Sequence, residues 1–334
     1  MTRIAVLDDW QGVARESADW SRLAERGEIV FFADAFADED AAAEALGSFE
    51  ILLSMRERTP MPRSLILRLP RLAMVGITGA ANAALDVAAC TERGIVVCNT
   101  LAPAQGGFAT AELALGLLIA AARAVPAADA GIRAGRFQHG VPPGIGLAGK
   151  TLGIVGLGRL GTRMAQYGRA LDMTVLAWSR TLSAEKAEAA GAVSVSKAEL
   201  LERSDAVSLH VALSPDSRGL IAATDLARMK PGAILVNTSR GPLVDEAALV
   251  EAVRAGRIVA ALDVFDREPL PADHPLRSAP NTVLTPHLGY AVKESWAAFY
   301  PQSVENALAF LHGAPVRVVN PEVLAGRAGA AGSA

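Results

Sequence analysis

Short apolar runs rich in Val, Ile and Leu recur along this chain, separated by stretches with the residue spacing of amphipathic helices. Continuous apolar strands that alternate with helices are typical of parallel sheets covered on both faces. The sequence therefore predicts an α/β fold with two doubly wound parallel sheets. The strands of the first sheet are predicted at Arg3–Leu7, Ile29–Phe32, Ile51–Ser54, Ala73–Ile77 and Ile95–Cys98. Those of the second are predicted at Leu152–Val155, Thr174–Trp178, Ala206–His210, Ala233–Val236, Val259–Leu262 and Thr282–Thr285.

The length of 334 residues also suits two domains. A helix predicted near residues 107–125 and a Gly/Pro/Arg stretch, Gly131–Gly149, separate the two sets of strands. A second long helix, Lys293–His312, follows the last strand, and we expect it to return to the first domain. One domain would then comprise residues 1–100 and 290–334, and the other residues 101–289. The tail from Ala325 has nothing to bury, so we expect it to be disordered.

Composition excludes several classes of protein. A net charge of −3 gives no basic surface for nucleic acid or an anionic membrane. The most lipid-like stretch, Leu113–Ala122, is about half the length of a membrane span and is predicted to be a buried helix. Two cysteines and five histidines show no metal-ligand spacing, so no metal is expected. The N-terminal sequence turns acidic at Asp8 before a signal-like run develops, which predicts a cytoplasmic protein.

The segment Gly144–Thr151 matches the phosphate-binding loop of nucleoside triphosphatases letter for letter. That loop functions only when a strand precedes it and a helix begins at its lysine. Here a Pro/Gly-rich loop precedes the segment and a predicted strand follows it. The match is therefore interpreted as coincidental.

A better candidate for nucleotide binding is Gly156-Leu157-Gly158-Arg159-Leu160-Gly161, which follows a predicted strand and opens a predicted helix, Arg159–Leu171. In this context Gly156 allows a tight turn, Gly158 allows close approach of a pyrophosphate, and Gly161 allows close packing of helix and strand. The helix N-terminus supplies N–H groups for the phosphates. The sequence predicts a dinucleotide site, with a tight turn that binds nothing as the alternative.

The end of the next strand distinguishes NAD from NADP. An acidic residue normally accepts hydrogen bonds from the adenosine ribose there. This chain has Ser179 and Arg180 instead, so no carboxylate would repel a 2′-phosphate and Arg180 offers a charged fork for it. We therefore expect NADP(H) to be accepted. The alternative, that Arg180 points into solvent, stays open.

Three titratable or charged residues follow the predicted carboxyl ends of later strands, where open α/β sheets bind their ligands. They are Arg240, Glu268 and His287. An arginine holds a carboxylate with two hydrogen bonds, a histidine transfers a proton near neutral pH, and a glutamate favours the imidazolium form. With a nicotinamide, this set suffices to interconvert a 2-keto acid and a 2-hydroxy acid. Ion pairs between loops are the alternative interpretation of each residue.

The motifs around these residues identify a family. In order and spacing, the chain resembles the D-isomer-specific 2-hydroxyacid dehydrogenase family over about residues 1–320. The matching segments are Gly149–Gly161, Asn237–Glu246, Ala261–Leu270 and Thr285–Gly289. The resemblance implies a Rossmann-type cofactor domain inserted into a flavodoxin-like substrate domain, NAD or NADP as cofactor, a small 2-keto or 2-hydroxy acid as substrate, and a homodimer.

The resemblance also implies a role for particular residues. Arg240 would anchor the substrate carboxylate, His287 would be the general acid/base, and Glu268 would be its partner. Cofactor contacts are implied at Arg159, Leu160, Val211 and Thr238, and nicotinamide contacts near Asp263.

The chain departs from the family in the substrate-side loop, where the common Gly-x-Gly-x-Asp is replaced by Gly76–Asn82. Backbone contacts to a substrate carboxylate are still expected near Thr78 and Gly79. His210 is expected to line the cleft or to be a structural histidine. An NAD(H)-sensing binding module like the corepressors of this fold retains the same three residues, so it stays the alternative function.

The charged segment from Arg56 to Arg58 is predicted to be a solvated turn, with a contact to a substrate anion as the alternative.

Overall fold

The computed structural model describes residues 1–101 and 107–325. Within these residues the chain divides into two compact units, which we call the first unit (Met1–Gly107 with Val292–Ala334) and the second unit (Phe108–Ala291). The tail beyond Ala325, predicted to be disordered, lies outside the described residues.

The first unit contains a parallel sheet of five strands, in the order β2-β1-β3-β4-β5. This is the flavodoxin-like order of a doubly wound fold. The register pairs Ile4 with Ile29 and Ile51, so the apolar centres of neighbouring strands are aligned. Its elements before the second unit are β1 (Thr2–Val6), α1 (Ala14–Ser17), α2 (Ser21–Ala24), β2 (Gly27–Phe31), α3 (Glu39–Leu46), β3 (Ile51–Ser54), α4 (Arg63–Leu67), β4 (Met74–Ile77), α5 (Val87–Glu92) and β5 (Val96–Cys98).

The second unit contains a parallel sheet of seven strands, in the order β12-β11-β10-β9-β6-β7-β8. This is the Rossmann order with one further strand. From the neighbouring strands β6 and β9, the strands continue in chain order toward opposite edges of the sheet, so the strand order reverses between these two. Its elements are α6 (Ala109–Ala122), α7 (Val125–Arg133), β6 (Thr151–Val155), α8 (Arg159–Ala170), β7 (Thr174–Trp178), α9 (Ala184–Ala189), β8 (Val193–Ser194), α10 (Lys197–Arg203), β9 (Ala206–Leu209), α11 (Ala223–Arg228), β10 (Ala233–Asn237), α12 (Glu246–Arg254), β11 (Ile258–Leu262) and β12 (Thr282–Leu284).

Two short 3₁₀ turns, Gly241–Leu243 and Pro275–Arg277, interrupt the loops after β10 and β11. The chain then returns to the first unit through α13 (Lys293–Leu311), which packs against α1, α2 and β4. Its buried face includes Trp296, Phe299 and Tyr300. Burial of these large aromatic surfaces stabilises the return of the chain to the first unit.

The predicted fold class is confirmed: both sheets are parallel and both belong to α/β layers. The sequence missed two elements. The strand β8 has two residues and its Val193 is exposed, so no apolar run marks it. No helix was predicted at α7, whose proline lies in the first turn, where the missing N–H costs no hydrogen bond.

The apolar stretch Leu113–Ala122 belongs to helix α6, which packs inside the second unit. Its alanines and leucines pack against α8, β10 and β11, and Ala111, Ala114 and Leu118 are fully buried. In the described part of the chain no single helix is long and apolar enough to span a membrane. Only α6 and α7 taken together reach the required length, and they are bent by 65°.

Candidate active site

The turn between β6 and α8 depends on two glycines. Gly156 has a φ of +95°, and a Cβ there would lie 2.5 Å from the carbonyl oxygen of His210. A Cβ at Gly161 would lie 2.0 Å from the carbonyl oxygen of Gly156. Any larger residue at either position would collide with backbone, so the tight turn and the close helix–strand contact both require glycine.

Gly158 differs from these two glycines. A Cβ at Gly158 would meet no atom within 4 Å, so internal packing does not explain why this residue is glycine. It is the N-cap of α8 and makes no side-chain capping bond. The first N–H groups of a helix lack partners within the helix and carry the positive end of its dipole. The arrangement fits a pyrophosphate laid against the helix N-terminus.

A cavity of about 360 Å³ opens beside this turn, entirely within the second unit. Its lining residues follow β6, β7 and β9, so the cavity lies where the strand order reverses, which is where doubly wound folds bind nucleotides. Of the predicted cofactor residues, five line the cavity, and Arg159, Leu160, Gly161, Thr238 and Asp263 do not. The lining consists of Gly156, Leu157, Gly158, Trp178, Ser179, Arg180, Thr181, Leu182, Lys186, His210, Val211, Ser217 and Leu220.

The wall that follows β7 carries positive charge. Arg180 and Lys186 both line the cavity, and no Asp or Glu occurs among its lining residues in the described chain. Nη1 of Arg180 lies 3.2 Å from Oδ2 of Asp216, and both side chains are mostly exposed, 58% and 75%. Arg180 thus neither points freely into solvent nor is buried: it lies on the cavity wall with an exposed acidic partner.

His210 follows β9 and also lines the cavity. Its Nε2 lies 2.9 Å from the hydroxyl oxygen of Ser208, a residue with no exposed surface. Burial lowers the pKa of His210 to about 4, so this imidazole is neutral at physiological pH. His210 was expected either to line the cleft or to be a structural histidine. It does both here, because its ring contacts Ser208 and also lines the cavity.

Beyond the carboxyl ends of β11 and β12, at one edge of the same sheet, His287 and Glu268 form a close pair. Nδ1 of His287 lies 2.5 Å from Oε2 of Glu268, and the side chains are only 15% and 18% exposed. The other carboxylate oxygen of Glu268 accepts a hydrogen bond from the backbone N–H of Phe265 at 2.9 Å. With one oxygen fixed by the backbone, Glu268 orients the imidazole of His287 through the other.

Asp263 anchors the loop that carries His287. Its carboxylate accepts hydrogen bonds from the Thr285 hydroxyl at 2.6 Å, from the Leu288 N–H at 2.7 Å and from the Gly289 N–H at 2.8 Å. These donors bracket His287, whose φ of +55° is uncommon for a residue with a side chain. Burial raises the pKa of Asp263, although the three hydrogen bonds oppose this rise.

The resemblance implied only nicotinamide contacts near Asp263, and the role of Asp263 in the loop was not predicted. Strand register was the available signal. Because Leu262 pairs with Leu284, Asp263 lies beside Thr285 at the same edge of the sheet.

Arg240 follows β10, the neighbour of β11, and is partly buried. Its Nη1 donates to the Ser239 carbonyl at 2.6 Å, and its own carbonyl accepts from the Asn237 side chain at 2.9 Å. A Cβ at Gly241 would lie 2.1 Å from the carbonyl carbon of Phe265. The Arg240 loop therefore packs directly on the segment that fixes Glu268. The loops of Arg240, Glu268 and His287 follow three neighbouring strands.

Thr78 and Gly79 lie in the first unit, after β4. The N–H of Thr78 donates to the Ser54 carbonyl at 3.2 Å, and that of Gly79 donates to the Thr100 hydroxyl at 2.8 Å. Both amides are engaged within the unit, and their predicted contact with a substrate carboxylate stays a prediction.

The prediction of a solvated turn at Arg56–Arg58 is wrong for Arg58. This residue is only 6% exposed, and its guanidinium lies 5.3 Å from the centre of the Trp10 ring. This position allows a cation–π attraction between the buried guanidinium and the Trp10 ring.

Among the described residues, no group of three or more His, Cys, Asp or Glu side chains could hold a metal ion.

A comparison with protein families identifies the second unit. The model described as "D-isomer specific 2-hydroxyacid dehydrogenase, NAD binding domain" matches residues 115–289, more than half of the chain. The chain belongs to this family. The match includes the glycine turn, the cavity and the three polar loops, and it confirms the resemblance found in the sequence. The description of the model names the NAD-binding domain of dehydrogenases that act on 2-hydroxy acids.

Individual relatives agree with this assignment. A hydroxypyruvate reductase from Blautia hydrogenotrophica is 34% identical over 326 residues, which cover 95% of this chain and 99% of the relative. The structure of a phosphoglycerate oxidoreductase from Vibrio cholerae superimposes with a TM-score of 0.88 at 37% identity, covering 94% of this chain and all of that one.

A D-3-phosphoglycerate dehydrogenase from Archaeoglobus fulgidus is 39% identical over 264 residues, which cover 79% of this chain. The chain spans about half the length of this relative. The comparisons give no support to the corepressor-like alternative.

Proposed function

We propose that this protein interconverts a small D-2-hydroxy acid and its 2-keto acid, with the second unit as the cofactor domain and the first as the substrate domain. His287 is the general acid/base, Glu268 is its partner and Arg240 holds the substrate carboxylate. The observation that carries the proposal is the pair formed by His287 Nδ1 and Glu268 Oε2 at 2.5 Å, on a loop next to that of Arg240.

The residues around the glycine turn fit a nicotinamide dinucleotide. The start of α8 at Gly158 would hold the pyrophosphate, and the cavity wall from Trp178 to Leu182 would hold the adenosine ribose. Val211 would contact the cofactor from the end of β9. When bound, the nicotinamide supplies or accepts the hydride.

In the reductive direction, Nε2 of His287 gives a proton to the carbonyl oxygen of the keto acid. Glu268 stabilises the charged imidazole before this transfer and holds the ring orientation. Arg240 binds the carboxylate beside the carbonyl and places the carbonyl oxygen toward His287. In the oxidative direction His287 removes the hydroxyl proton, and the same contacts apply.

We propose that the cofactor is NAD(H) or NADP(H), with NADP(H) accepted at Ser179 and Arg180. The support is the absence of Asp and Glu from the lining of the described cavity, together with the position of Arg180 on its wall. A carboxylate at the ribose would bind the 2′-hydroxyl of NAD and repel a 2′-phosphate; this chain has a hydroxyl and a cation instead.

The substrate class can be tested by spectrophotometry. A panel of 2-keto acids that includes glyoxylate, hydroxypyruvate and larger members is assayed with NADH and with NADPH, and the products are tested for the D configuration. We expect turnover with at least one small keto acid. Nucleotide binding without turnover on any member of the panel would contradict the proposal.

We further propose a cytoplasmic homodimer. The support for a dimer is that α6, α7 and the following loop carry several exposed apolar side chains, since side chains of this kind mark a protein interface where they form a contiguous patch. The support for the cytoplasm is that Cys90 and Cys98 are buried and unpaired. Light scattering on the wild type and Phe137→Asp tests the dimer, which the variant should weaken. The exposed residues are Ile119, Val125, Ile132, Phe137 and Ile145.

A further inference from the structure

Two cations lie on the same wall of the cavity. Arg180 belongs to the loop after β7, and Lys186 belongs to α9, which follows that loop. The hydroxyl of Ser183 accepts a hydrogen bond from the backbone N–H of Lys186 at 3.3 Å, which ties the first turn of α9 to the loop. Both cations therefore lie beyond the end of β7, where a Rossmann fold places the adenosine ribose.

An acidic group faces one of these cations from another loop. Asp216 pairs with Arg180, and its neighbour Ser217 lines the cavity. The hydroxyl of Ser217 accepts from the Ser214 N–H at 2.7 Å and donates to the Ala212 carbonyl at 2.8 Å. This buried serine fixes the turn, so Asp216 is held at the rim of the cavity opposite Arg180.

We propose that Arg180 and Lys186 together bind the 2′-phosphate of NADP(H), and that Asp216 sets the NADP/NAD preference by competing with this phosphate for Arg180. The inference rests on the proposed dinucleotide function and adds two specificity-determining residues to it. When NAD(H) is bound, Asp216 retains Arg180. When NADP(H) is bound, the phosphate takes its place.

The charges favour this exchange. The pair between Arg180 and Asp216 is largely exposed, and exposed ion pairs are weak. A phosphate monoester carries nearly two negative charges and offers three acceptor oxygens. One carboxylate cannot neutralise two cations, whereas a phosphate monoester carries enough charge to pair with both Arg180 and Lys186, which line the same cavity. Asp216 therefore reduces NADP(H) affinity without excluding NADP(H), and it leaves NAD(H) affinity unchanged.

Binding of two nucleotide fragments isolates the 2′-phosphate from the rest of the cofactor. Adenosine 2′,5′-bisphosphate and 5′-AMP are titrated by calorimetry into the wild type and three variants, Arg180→Ala, Lys186→Ala and Asp216→Asn. We expect the bisphosphate to bind about tenfold more weakly to each of the first two variants, since each loses a charged hydrogen bond. We expect it to bind about fivefold more tightly to Asp216→Asn, and 5′-AMP to change by less than about twofold.

Two matched controls exclude general effects of charge. Glu202→Gln removes another exposed ion pair of the second unit, which joins Glu202 to Arg228 at 2.7 Å. Lys150→Ala removes an exposed lysine that precedes β6, at the sheet edge opposite the cavity. Neither control should change the ratio of the two affinities. The same ratio is then measured as the KM values for NADPH and NADH with one keto acid.

The outcomes separate the inference from the function on which it rests. If the wild type binds both fragments equally, or if the three variants change both affinities in parallel, the inference is wrong and the dinucleotide site stands. If the wild type binds neither fragment nor either complete cofactor, the proposed function fails as well.

Discussion

Nδ1 of His287 lies 2.5 Å from Oε2 of Glu268, and the carboxylate of Asp263 accepts hydrogen bonds on both sides of the histidine, from the Thr285 hydroxyl and from the Leu288 N–H. One acidic residue thus orients the ring, and another orients the loop. This division explains how a histidine with φ of +55° is kept in one position. It also separates the consequences of substitution, because loss of Glu268 affects the ring and loss of Asp263 affects the loop.

Substitution of His287 tests the proton transfer. We expect His287→Ala to lower kcat by about 10²–10⁴-fold, the contribution typical of a general acid/base. The dissociation constant of NADH, measured by fluorescence, should stay unchanged because the cavity lies on other loops. Glu268→Gln keeps the shape of the side chain but removes its charge, so we expect a smaller loss of kcat. Near-wild-type turnover of His287→Ala would overturn its role, and His312→Ala, an exposed histidine of the first unit, is the control.

Substitution of Arg240 tests recognition of the substrate carboxylate. Lysine preserves the charge but loses the planar fork that binds a carboxylate with two hydrogen bonds. We expect Arg240→Lys to raise the KM for the keto acid by about 10–100-fold, since one or two charged hydrogen bonds are lost. Steady-state kinetics at saturating NADH measures this change. Arg254→Lys on α12 is the matched control, and an unchanged KM for the keto acid in Arg240→Lys would contradict the assignment.

The strands that build the site were predictable because both of their faces are buried. Burial on both faces selects continuous apolar runs such as Ala233–Val236, and such runs are visible without any knowledge of the fold. The glycine turn was predictable for a similar reason, since its backbone geometry admits only glycine at Gly156 and Gly161. The apolar strands and the glycine turn are determined by burial and backbone geometry within short segments, so the sequence of each segment is enough to indicate them.

Features that depend on distant contacts were not predictable. Arg58 is buried and its guanidinium lies near Trp10, which is far away in the sequence, and a charged residue in a charged segment gives no sign of this burial. The anchoring role of Asp263 depends on the register of β11 and β12. The pairing of Arg180 with Asp216 depends on how two loops meet at the cavity rim. In each case the sequence supplies the side chain, and tertiary structure determines its partner.

Asp263→Asn tests the anchoring of the His287 loop. An amide replaces one acceptor oxygen by a donor, so at least one of the three N–H and O–H donors loses its partner. We expect a loss of about 1–3 kcal/mol in the free energy of unfolding, the cost of one buried unsatisfied group. We also expect kcat to fall, because His287 is held less firmly. Urea unfolding and steady-state kinetics measure the two effects.

The control for this prediction is Asp266→Asn, the same change at an exposed position in the loop that follows β11. It should change neither stability nor kcat by a comparable amount. If Asp263→Asn lowers stability and leaves kcat unchanged, Asp263 supports the fold without positioning His287.

Asp8 gives the first unit a characteristic dependence on pH. The side chain follows β1 and is only 7% exposed, and one of its oxygens accepts a hydrogen bond from the Thr59 hydroxyl at 2.8 Å. Burial raises the pKa of Asp8 to about 6, although the bonds to Thr59 oppose the rise. Between about pH 4 and pH 6 the folded protein therefore binds more protons at this site than the unfolded chain. Stability falls as the pH rises through this interval.

Above pH 6 the cost of burying the charged carboxylate reaches about 3 kcal/mol, the equivalent of a shift of roughly two units. Asp8→Asn removes this cost, and asparagine tolerates the positive φ of 62° at this position. The amide also faces the Thr59 N–H, which adds an offset that does not depend on pH. Urea unfolding should therefore show that the stability of the variant relative to the wild type rises between about pH 4 and pH 7. Parallel pH profiles would mean that the carboxylate is already charged, or already neutral, in both the folded and unfolded chains across this range.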